Sequence, residues 1–276
     1  GASSLNRYIS LMYFMVVVVM LLNKVVVITG GAGLIGQAFV KAVVESQGTA
    51  VIADINSALA REVKERLQNE LDTGNIDSIE LDVTSKDSIK TAVKELSTKY
   101  LSIDALVNNA YPRTLDWGNK FEDIKTTSFS DNVDMQLSRI FAISKPVLDI
   151  MKKQKSGSLV HIASIYGIVG NDFSVYENTE LTSPAAYSAI KGGLINFSRY
   201  LASYFGKYNL RSNCVSPGGV FNNQNKTFVG QYSQKVPLKR MANPNDIAPT
   251  VSFLLSSESN YITGQNIAVD GGWTAI

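Results

Sequence analysis

Residues 24–36 read KVVVITGGAGLIG, a short apolar run that passes through a glycine-rich turn into a helical pattern. The β-branched run predicts a strand buried on both faces, and the apolar spacing after Leu34 predicts an amphipathic helix. A turn between such elements can cradle a phosphate. Gly30 allows the tight turn, Gly33 lets backbone amides approach an anion, and Gly36 lets the helix pack closely on the strand. The stretch therefore predicts the first unit of a doubly wound α/β fold with a dinucleotide site at the edge of its sheet.

The rest of the chain repeats this alternation of strand and helix. The apolar runs lack strict polar alternation, which is typical of strands covered on both faces, so we predict one parallel, doubly wound sheet (a Rossmann fold). The predicted strands are Val25–Thr29, Ala50–Ala53, Ser78–Leu81, Ala105–Val107, Ser158–Ala163, Ser212–Val215 and Asn266–Val269, and the predicted helices are Leu34–Ser46, Ser57–Leu71, Ser85–Tyr100, Met135–Lys153, Ala185–Tyr208 and Asn245–Ser256. No repeat or linker interrupts residues 24–276, which predicts a single domain.

Residues 1–23 are expected to form an apolar extension outside this domain. Residues 11–22 read LMYFMVVVVMLL, shorter than the roughly twenty apolar positions that a membrane span needs, and no small-x-small cleavage site follows them. Gly1 and Ala2 stand in place of an initiator Met, so we expect part of the extension to derive from an expression vector, with Met20 as a natural start. An extension this apolar should be covered, for instance in a subunit interface.

Composition excludes several kinds of site. The 276 residues carry 26 basic and 24 acidic side chains, a net charge of +2 that gives no strong field for nucleic acid or an anionic membrane. The one cysteine, Cys214, cannot form an internal disulfide, and with the one histidine, His161, it cannot build a usual zinc site. We therefore expect no metal and no nucleic-acid or membrane partner, and we expect a reducing, cytoplasmic location. His161 lies on an apolar strand and is predicted to be a core side chain, which leaves Tyr, Lys, Ser and carboxylates for proton transfer.

Asp54 ends the second predicted strand, VIAD. A carboxylate at this position would accept hydrogen bonds from both hydroxyls of an adenosine ribose and would repel a 2′-phosphate. No Arg or Lys follows before Arg61, so the sequence favours NAD over NADP. The alternative is that Asp54 only closes a solvated turn.

A tyrosine and a lysine lie four residues apart on one predicted helix. Ser183 can cap this helix and Pro184 can start it, so Tyr187 and Lys191 should project from one face. An ammonium beside a phenol stabilises the phenolate and lowers the tyrosine pKa from about 10 toward neutrality, where it can exchange a proton with an alcohol. Ser164 would donate a hydrogen bond to the same substrate oxygen. The alternative is that Tyr187 is a packing residue and Lys191 a solvated charge.

Motifs in order along residues 24–276 resemble the short-chain dehydrogenase/reductase family. After the glycine turn come Leu81–Thr84 (LDVT), Asn108–Ala110 (NNA), Ser164 in HIAS, Tyr187–Lys191 (YSAIK), Pro217-Gly218 and Asp270–Gly272 (DGG). The resemblance implies an NAD(P)-dependent enzyme of the class that oxidises secondary alcohols, with Ser164, Tyr187 and Lys191 as catalytic residues. It implies cofactor contacts from Thr29, Gly30, Gly33, Leu34, Ile35, Gly36, Asp54, Asp82, Val83, Asn109, Ala110, Tyr187, Lys191, Pro217, Gly218 and Val220. It also implies homodimers or homotetramers formed through the helices Met135–Lys153 and Ala185–Tyr208, whose surplus apolar positions favour helix pairing between subunits.

The chain departs from the family pattern at two positions. Leu34 stands where many members have a glycine of the first loop. Gln136 stands where an Asn usually completes the catalytic set and positions a water in the proton relay, and we count it as a catalytic candidate. Its longer amide could still hold a water, or the relay could be altered. Asn132, one turn earlier, could compensate only if the start of the helix is shifted.

The segment between Ser164 and Tyr187 is longer than is common in the family and should cover the pocket that holds the substrate. Its mixture of polar and aromatic residues, namely Tyr166, Asn171, Asp172, Tyr176, Glu177, Asn178 and Thr182, favours hydroxyl-rich ligands over acyl chains. We take Tyr166 and Tyr176 as substrate candidates. Arg113 should lie near the pocket mouth, where its guanidinium suits a phosphate or carboxylate, unless it is simply a solvated loop residue.

The strings NNAYPR, SIYG, VYENT and YSAIK resemble the flagellin modification protein A group of short-chain dehydrogenases, which is associated with legionaminic-acid-type sugars. This narrower resemblance implies a sugar derivative as substrate, either a sugar phosphate or a nucleotide sugar. We therefore expect an NAD-dependent oxidoreductase that interconverts a secondary alcohol and a ketone on such a sugar. The same machinery acting on a 3-oxoacyl thioester or a polyol is an alternative, and so is a non-enzymatic dinucleotide sensor.

Overall fold

The computed structural model describes residues 20–276, which form one seven-stranded sheet with helices on both faces. The strands are β1 (Val25–Thr29), β2 (Thr49–Asp54), β3 (Ile76–Glu80), β4 (Ala105–Asn108), β5 (Gly157–Ile162), β6 (Leu210–Pro217) and β7 (Asn266–Val269). The α-helices are α1 (Leu34–Glu45), α2 (Ser57–Leu71), α3 (Lys86–Lys99), α4 (Thr126–Val133), α5 (Arg139–Gln154), α6 (Ala185–Phe205), α7 (Lys226–Lys235) and α8 (Pro244–Leu255).

All strand pairs are parallel, in the order β3-β2-β1-β4-β5-β6-β7. β1 pairs with both β2 and β4, so the order reverses direction between β1 and β4. In a doubly wound sheet the crevice outside the carboxyl ends of the strands at this point is the usual ligand site. The predicted doubly wound α/β fold is confirmed.

The core consists of two layers because successive side chains of each buried strand point to opposite faces. Val26 and Ile28 pack with α1, α2 and α8 on one face. Val27 and Leu106 pack with α3, α5 and α6 on the other. The central strands β1, β2 and β4 are mostly apolar because both of their faces lie under helices.

The folded unit includes residues before Lys24, the residue at which the predicted domain begins. Leu21 is fully buried in the layer that contains α1, and its backbone N–H donates to the Ser46 carbonyl at 2.9 Å. Leu21 of the predicted extension thus packs on the folded unit, and residues 1–19 of that extension lie outside the described residues. Within residues 20–276, no helix has the length and apolar character needed to cross a bilayer.

Two helical regions differ from the prediction. The predicted helix Met135–Lys153 is the continuation of α4, which passes through a π-helical turn at Asp134–Ser138 into α5. Helix α7 was not predicted, because it carries Gly230 at its middle and buries only Phe228 and Tyr232. Two buried positions give too weak a helical period to be recognised.

Candidate active site

The glycine turn between β1 and α1 leaves no room for side chains. Gly30 has φ +63°, in the left-handed region that favours glycine. A Cβ on Gly36 would lie 2.3 Å from the carbonyl oxygen of Gly30. Gly33 precedes α1 and has no side chain to cap its first amides, and the first turn of α1 carries no acidic residue. These amides and the positive end of the helix dipole suit an anionic group such as a pyrophosphate.

Leu34, which replaces a family glycine, is the first residue of α1 and has a side chain 46% exposed. Ile35 follows it and lines the cavity described below. The larger residue at position 34 is therefore accommodated on the surface of the turn rather than inside it.

Thr29 joins the glycine turn to the loop that follows β4. Its hydroxyl donates to the Val107 carbonyl at 3.2 Å and accepts from the backbone N–H groups of Asn109 and Ala110, each at 3.0 Å. The Asn109 amide donates in turn to the carbonyls of Thr29 and Gly30 at 3.0 and 3.1 Å. The structure thus brings these predicted residues of two motifs into one hydrogen-bonded unit.

Asp54 lies at the end of β2 beside this turn. Its carboxylate accepts from the backbone N–H of Ala32 at 3.1 Å and from that of Asn56 at 3.0 Å. Two backbone donors hold the carboxylate in one orientation at the edge of the crevice, where the sequence prediction requires it. The bond to Ala32 links it to the glycine turn itself, so Asp54 does more than close the turn that follows β2.

Asp82 and Val83 follow β3. The Asp82 carboxylate accepts from the backbone N–H and the hydroxyl of Thr84 at 2.8 and 2.7 Å. This oxygen stabilises a local turn. Val83 lines a small pocket together with Thr29 and Ala110, so it lies next to the unit described above.

The predicted catalytic residues Ser164, Tyr187 and Lys191 line one cavity of about 330 Å³ at the carboxyl ends of β5 and β6. Tyr187 and Lys191 come from the first two turns of α6, and Ser164 comes from the segment that follows β5. The predicted cofactor residues Ile35, Asn109, Pro217, Gly218 and Val220 line the same cavity. One cavity therefore connects the glycine turn with the tyrosine and the lysine.

The electrostatics of the pair differ from the sequence prediction. Lys191 Nζ donates to the Ile162 carbonyl at 2.8 Å and lies 5.5 Å from the centre of the Tyr187 ring. Burial lowers the pKa of Lys191 to about 8. Burial also raises the pKa of Tyr187, and the neighbouring Ser164 hydroxyl lowers it. The prediction that the ammonium lowers the tyrosine pKa is therefore wrong. The ammonium bonds to a backbone carbonyl rather than to the phenol, and burial raises the tyrosine pKa.

Helix α6 begins at Ala185, as predicted, but the predicted Ser183 cap is wrong. Pro184 occupies the N-cap position and no side chain caps the helix. The Ser183 hydroxyl instead accepts a hydrogen bond from the Asn171 amide, whose carbonyl oxygen accepts from Ser188 at 2.6 Å. Asn171 thus ties the inserted segment to the first turns of α6.

Gln136 lies in the π-helical turn and is 3% exposed. Within residues 20–276, neither its amide nitrogen nor its amide oxygen has a hydrogen-bond partner. Asn132 cannot take its place, because its side chain bonds to the backbone and hydroxyl of Thr114 and to the Ser128 carbonyl, at 3.1, 2.8 and 2.7 Å. Gln136 is not among the residues that line the cavity.

An aromatic wall that the sequence reasoning missed stands beside Tyr187. Tyr111 packs edge to face on Tyr187 and on Trp117, with ring centres 6.0 and 5.6 Å apart. Tyr111 directly follows the NNA motif, which was the available signal for its position. Arg113 is exposed and its guanidinium carbon lies 5.5 Å from the centre of the Tyr111 ring, so it lies next to the cavity without lining it.

The inserted segment covers the cavity as predicted, but most of its polar residues point elsewhere. Tyr166 and Tyr176 line the cavity, whereas Asp172 bonds to Ser174 and forms a 3.0 Å ion pair with Lys235 on α7. Tyr176 also stacks on Phe228 of α7, with ring centres 5.3 Å apart. Helix α7 therefore holds the insertion in place.

Phe228 and Tyr232 of α7 also line the cavity. The sequence reasoning missed both of them, because α7 itself was not predicted. Their i, i+4 spacing was the one signal that could have found them.

His161 is a core residue, as predicted. Its two ring nitrogens lie 3.0 Å from the Asn108 amide nitrogen and 3.1 Å from the Ser212 hydroxyl. Burial lowers its pKa to about 3, so the ring is neutral at physiological pH. Because both nitrogens are engaged inside the sheet, this histidine is not available for proton transfer in the cavity.

Comparison with known proteins agrees with this geometry. A family model described as enoyl-(acyl carrier protein) reductase matches residues 31–274. The post-translational flagellin modification protein A of Campylobacter coli is 34% identical over 91% of this chain and 98% of its own length. The 7alpha-hydroxysteroid dehydrogenase of Bacteroides fragilis is 33% identical over 91% of this chain and 95% of its own. A short chain dehydrogenase from Leptospira borgpetersenii, solved with bound NAD+, superimposes with a TM-score of 0.81 at 33% identity, over 92% of this chain and 94% of that one. The chain belongs to the short-chain dehydrogenase/reductase family, as its ordered motifs predicted.

Proposed function

We propose that this protein is an NAD-dependent oxidoreductase that interconverts a secondary alcohol and a ketone on a sugar derivative. The observation that carries the proposal is the single cavity lined by Ser164, Tyr187 and Lys191, which extends to the glycine turn through Ile35 and Asn109. A phenol, a hydroxyl and an ammonium around one buried space are the groups that proton transfer to and from an alcohol requires.

Each of these residues has a defined part in the proposed reaction. Tyr187 exchanges a proton with the substrate oxygen, and Ser164 donates a hydrogen bond to that oxygen as negative charge builds on it. Lys191, whose ammonium is fixed by the Ile162 carbonyl, holds the nicotinamide ribose. The dinucleotide, when bound, supplies the acceptor or donor of the hydride.

The residues present fit a dinucleotide. The glycine turn, with the free amides of α1, suits the pyrophosphate, and Asp54 suits the two hydroxyls of an adenosine ribose. Asp82, Val83, Ala110, Pro217, Gly218 and Val220 complete the proposed contacts. We propose NAD rather than NADP because a carboxylate, and no adjacent cation, ends β2. The NAD+ in the Leptospira relative supports this choice.

We propose a sugar phosphate or nucleotide sugar as the substrate. The similarity to a flagellin modification protein supports a sugar. Arg113, exposed next to the aromatic wall, is placed to meet a phosphate outside the cavity. We also propose a cytoplasmic location, which agrees with the single buried and free cysteine, Cys214.

A second candidate substrate is a 3-oxoacyl thioester. The apolar side chains of Ile162, Ile165, Val220 and Phe228 in the cavity lining, together with the description of the matching family model, favour it. Assaying a panel of sugar phosphates, nucleotide sugars, polyols and 3-oxoacyl thioesters with both nicotinamide dinucleotides separates these candidates. Turnover of the thioesters alone would overturn the assignment to sugars.

The test of the enzymatic proposal is Tyr187→Phe. Because the variant loses only the proton carrier, turnover on any active substrate should fall by about a hundredfold or more, while stabilisation by NAD+ in a thermal-shift assay persists. Tyr261→Phe, at a fully exposed position, is the matched control and should behave as the wild type. Unchanged turnover in Tyr187→Phe would contradict the assignment, and an absence of turnover with intact NAD+ binding on the whole panel would favour a dinucleotide sensor.

A further inference from the structure

Tyr166 has a buried hydroxyl for which the fold of residues 20–276 provides no hydrogen bond of normal geometry. The residue is 8% exposed, and its hydroxyl has no hydrogen-bond partner of normal geometry within the described part of the chain. A buried phenol without a partner costs free energy, so its presence indicates that a water or a ligand satisfies it. Tyr166 also lines the cavity with Ser164, two residues before it.

The backbone around Tyr166 is held rigidly. Its N–H donates to the Ser164 hydroxyl at 3.2 Å, and the next residue, Gly167, packs so closely on α6 that a Cβ would lie 2.7 Å from the Lys191 carbonyl carbon. The unsatisfied hydroxyl therefore cannot be relieved by a small shift of its own turn. Its position relative to the proposed catalytic residues is fixed by the fold.

Two further phenols share this part of the cavity. Tyr176 and Tyr232 both line it, and both contribute, after burial, to raising the pKa of Tyr166. The Tyr232 oxygen accepts the backbone N–H of Gly219, which leaves its own proton free to be donated. Burial raises the pKa of Tyr232 to about 12, so this group stays protonated. Part of the cavity lining, formed by Tyr166, Tyr176 and Tyr232, is thus a cluster of neutral hydroxyl donors.

The lining contains one charged side chain, Lys191, which already bonds to a carbonyl. We therefore expect the part of a substrate inside the cavity to be neutral. The lining includes two packed pairs of aromatic rings, Tyr111 with Tyr187 and Tyr176 with Phe228. Flat aromatic faces with a few placed hydroxyls suit a saturated ring that carries several hydroxyl groups.

We propose that Tyr166 is a specificity-determining residue that hydrogen-bonds a second substrate hydroxyl, one other than the hydroxyl that reacts, with Tyr176 and Tyr232 beside it. This inference rests on the proposed function and narrows its substrate class to ring alcohols with at least two hydroxyls inside the cavity. A site built to bond a hydroxyl rejects an analogue that lacks it, because its own polar group is then left unpaired.

The test compares two neutral ring probes, cyclohexane-1,2-diol and cyclohexanol, by their dissociation constants from the NAD+-saturated protein in a thermal-shift titration. Wild type should bind the diol at least about tenfold more tightly than cyclohexanol. Tyr166→Phe should reduce this preference to less than about threefold, and the Tyr261→Phe control should keep it. The melting temperature of Tyr166→Phe without ligand should not fall, because within the described residues its hydroxyl makes no hydrogen bond of normal geometry that the variant loses, whereas a structural role would lower it.

Equal affinities of wild type for the two probes would overturn the inference, and so would a Tyr166→Phe variant that keeps the preference. If Tyr166→Phe does not fold, Tyr176→Phe replaces it and should weaken the preference for the diol by a smaller factor. An unchanged preference in Tyr176→Phe would then contradict the proposal. The measurement needs no turnover. A negative result in this binding experiment therefore does not affect the turnover test with Tyr187→Phe. That turnover test decides the enzymatic proposal separately.

Discussion

Asp54 is the residue on which the choice between NAD and NADP depends in our proposal. Its carboxylate is oriented by the backbone N–H groups of Ala32 and Asn56. An oriented anion at the end of β2 can accept two ribose hydroxyls and repels a phosphate placed there. Both effects need the charge, which makes a substitution that removes only the charge informative.

We predict that Asp54→Asn weakens NAD+ binding by about ten- to a hundredfold, since hydrogen bonds to a charged group are worth about 1.5–3 kcal/mol. The same change should leave NADP+ binding unchanged or tighter, because the repulsion is gone. Dissociation constants of both dinucleotides, measured by isothermal titration calorimetry, check this. Asp72→Asn, at an exposed position that already adopts a left-handed conformation, is the control. An unaltered ratio of the two affinities would refute the role of Asp54.

Residue identity and spacing predicted some of the candidate site but not all of it. Ser164, Tyr187 and Lys191 could be placed together because parallel strands bring their carboxyl ends to one edge. Tyr232 could not, since it reaches the cavity from α7, which is distant in sequence and carries no motif. The direction of the Tyr187 pKa shift also depends on burial and on which group the Lys191 ammonium bonds to. Neither can be deduced from the four-residue spacing of the two side chains.

At the scale of elements, the strands were the most predictable part of the fold. The run Val25–Thr29 has four consecutive apolar residues before Thr29, so its burial on both faces follows directly from its composition. The π-helical turn at Asp134–Ser138 was not predictable, because one extra residue in a turn shifts the apolar period only slightly. Asn132, before this turn, has a hydrogen-bonded side chain, whereas the side chain of Gln136, within the turn, has no partner among the described residues. The error therefore lies in where the helix starts and not in whether a helix is present.

The buried carboxylate of Asp77 joins the edge strand β3 to helices α2 and α3. Asp77 of β3 accepts hydrogen bonds from Lys64 of α2 at 3.1 Å, from Lys99 of α3, and from the Tyr100 hydroxyl at 2.7 Å. Burial alone would raise the pKa of Asp77, but these donors and the Ser78 backbone together hold it well below its usual range. Asp77 therefore stabilises the packing of α2 and α3 on the edge strand.

The sign of the pH dependence follows from that lowered pKa. The stabilisation is fully present above the unfolded-state value of about 3.9 and is lost as the pH falls toward the folded-state value. We predict that Asp77→Asn lowers the free energy of unfolding by about 1–3 kcal/mol at pH 7, with a smaller difference from wild type at pH 3. Urea unfolding at both pH values measures this, with Asp149→Asn at an exposed position of α5 as control. A constant difference at both pH values would show that Asp77 acts through packing rather than charge.

At the scale of the whole molecule, the described part of the chain has an aromatic surface that its own fold leaves uncovered. Phe141 of α5 and Tyr200 and Tyr204 of α6 are 55%, 60% and 53% exposed. Tyr200 and Tyr204 stack with ring centres 5.9 Å apart, and Phe197 joins Tyr200 to Phe141. Neighbouring exposed aromatic rings on two adjacent helices form the kind of patch that marks a protein interface. It lies on the two helices for which the sequence predicted pairing between subunits.

We predict that this surface, defined by Phe141, Tyr200 and Tyr204, is a self-complementary interface of a homodimer or homotetramer. In a two-fold interface each copy contributes the same patch, so one substitution acts twice and a new charge faces its own counterpart. Phe141→Glu should therefore shift the molar mass measured by size-exclusion chromatography with light scattering to a smaller species, while circular dichroism shows the fold retained. Leu101→Glu, at a fully exposed position in the turn after α3, introduces the same charge outside the patch and should leave the mass unchanged. If Phe141→Glu keeps the wild-type mass, these aromatic rings do not hold the assembly together.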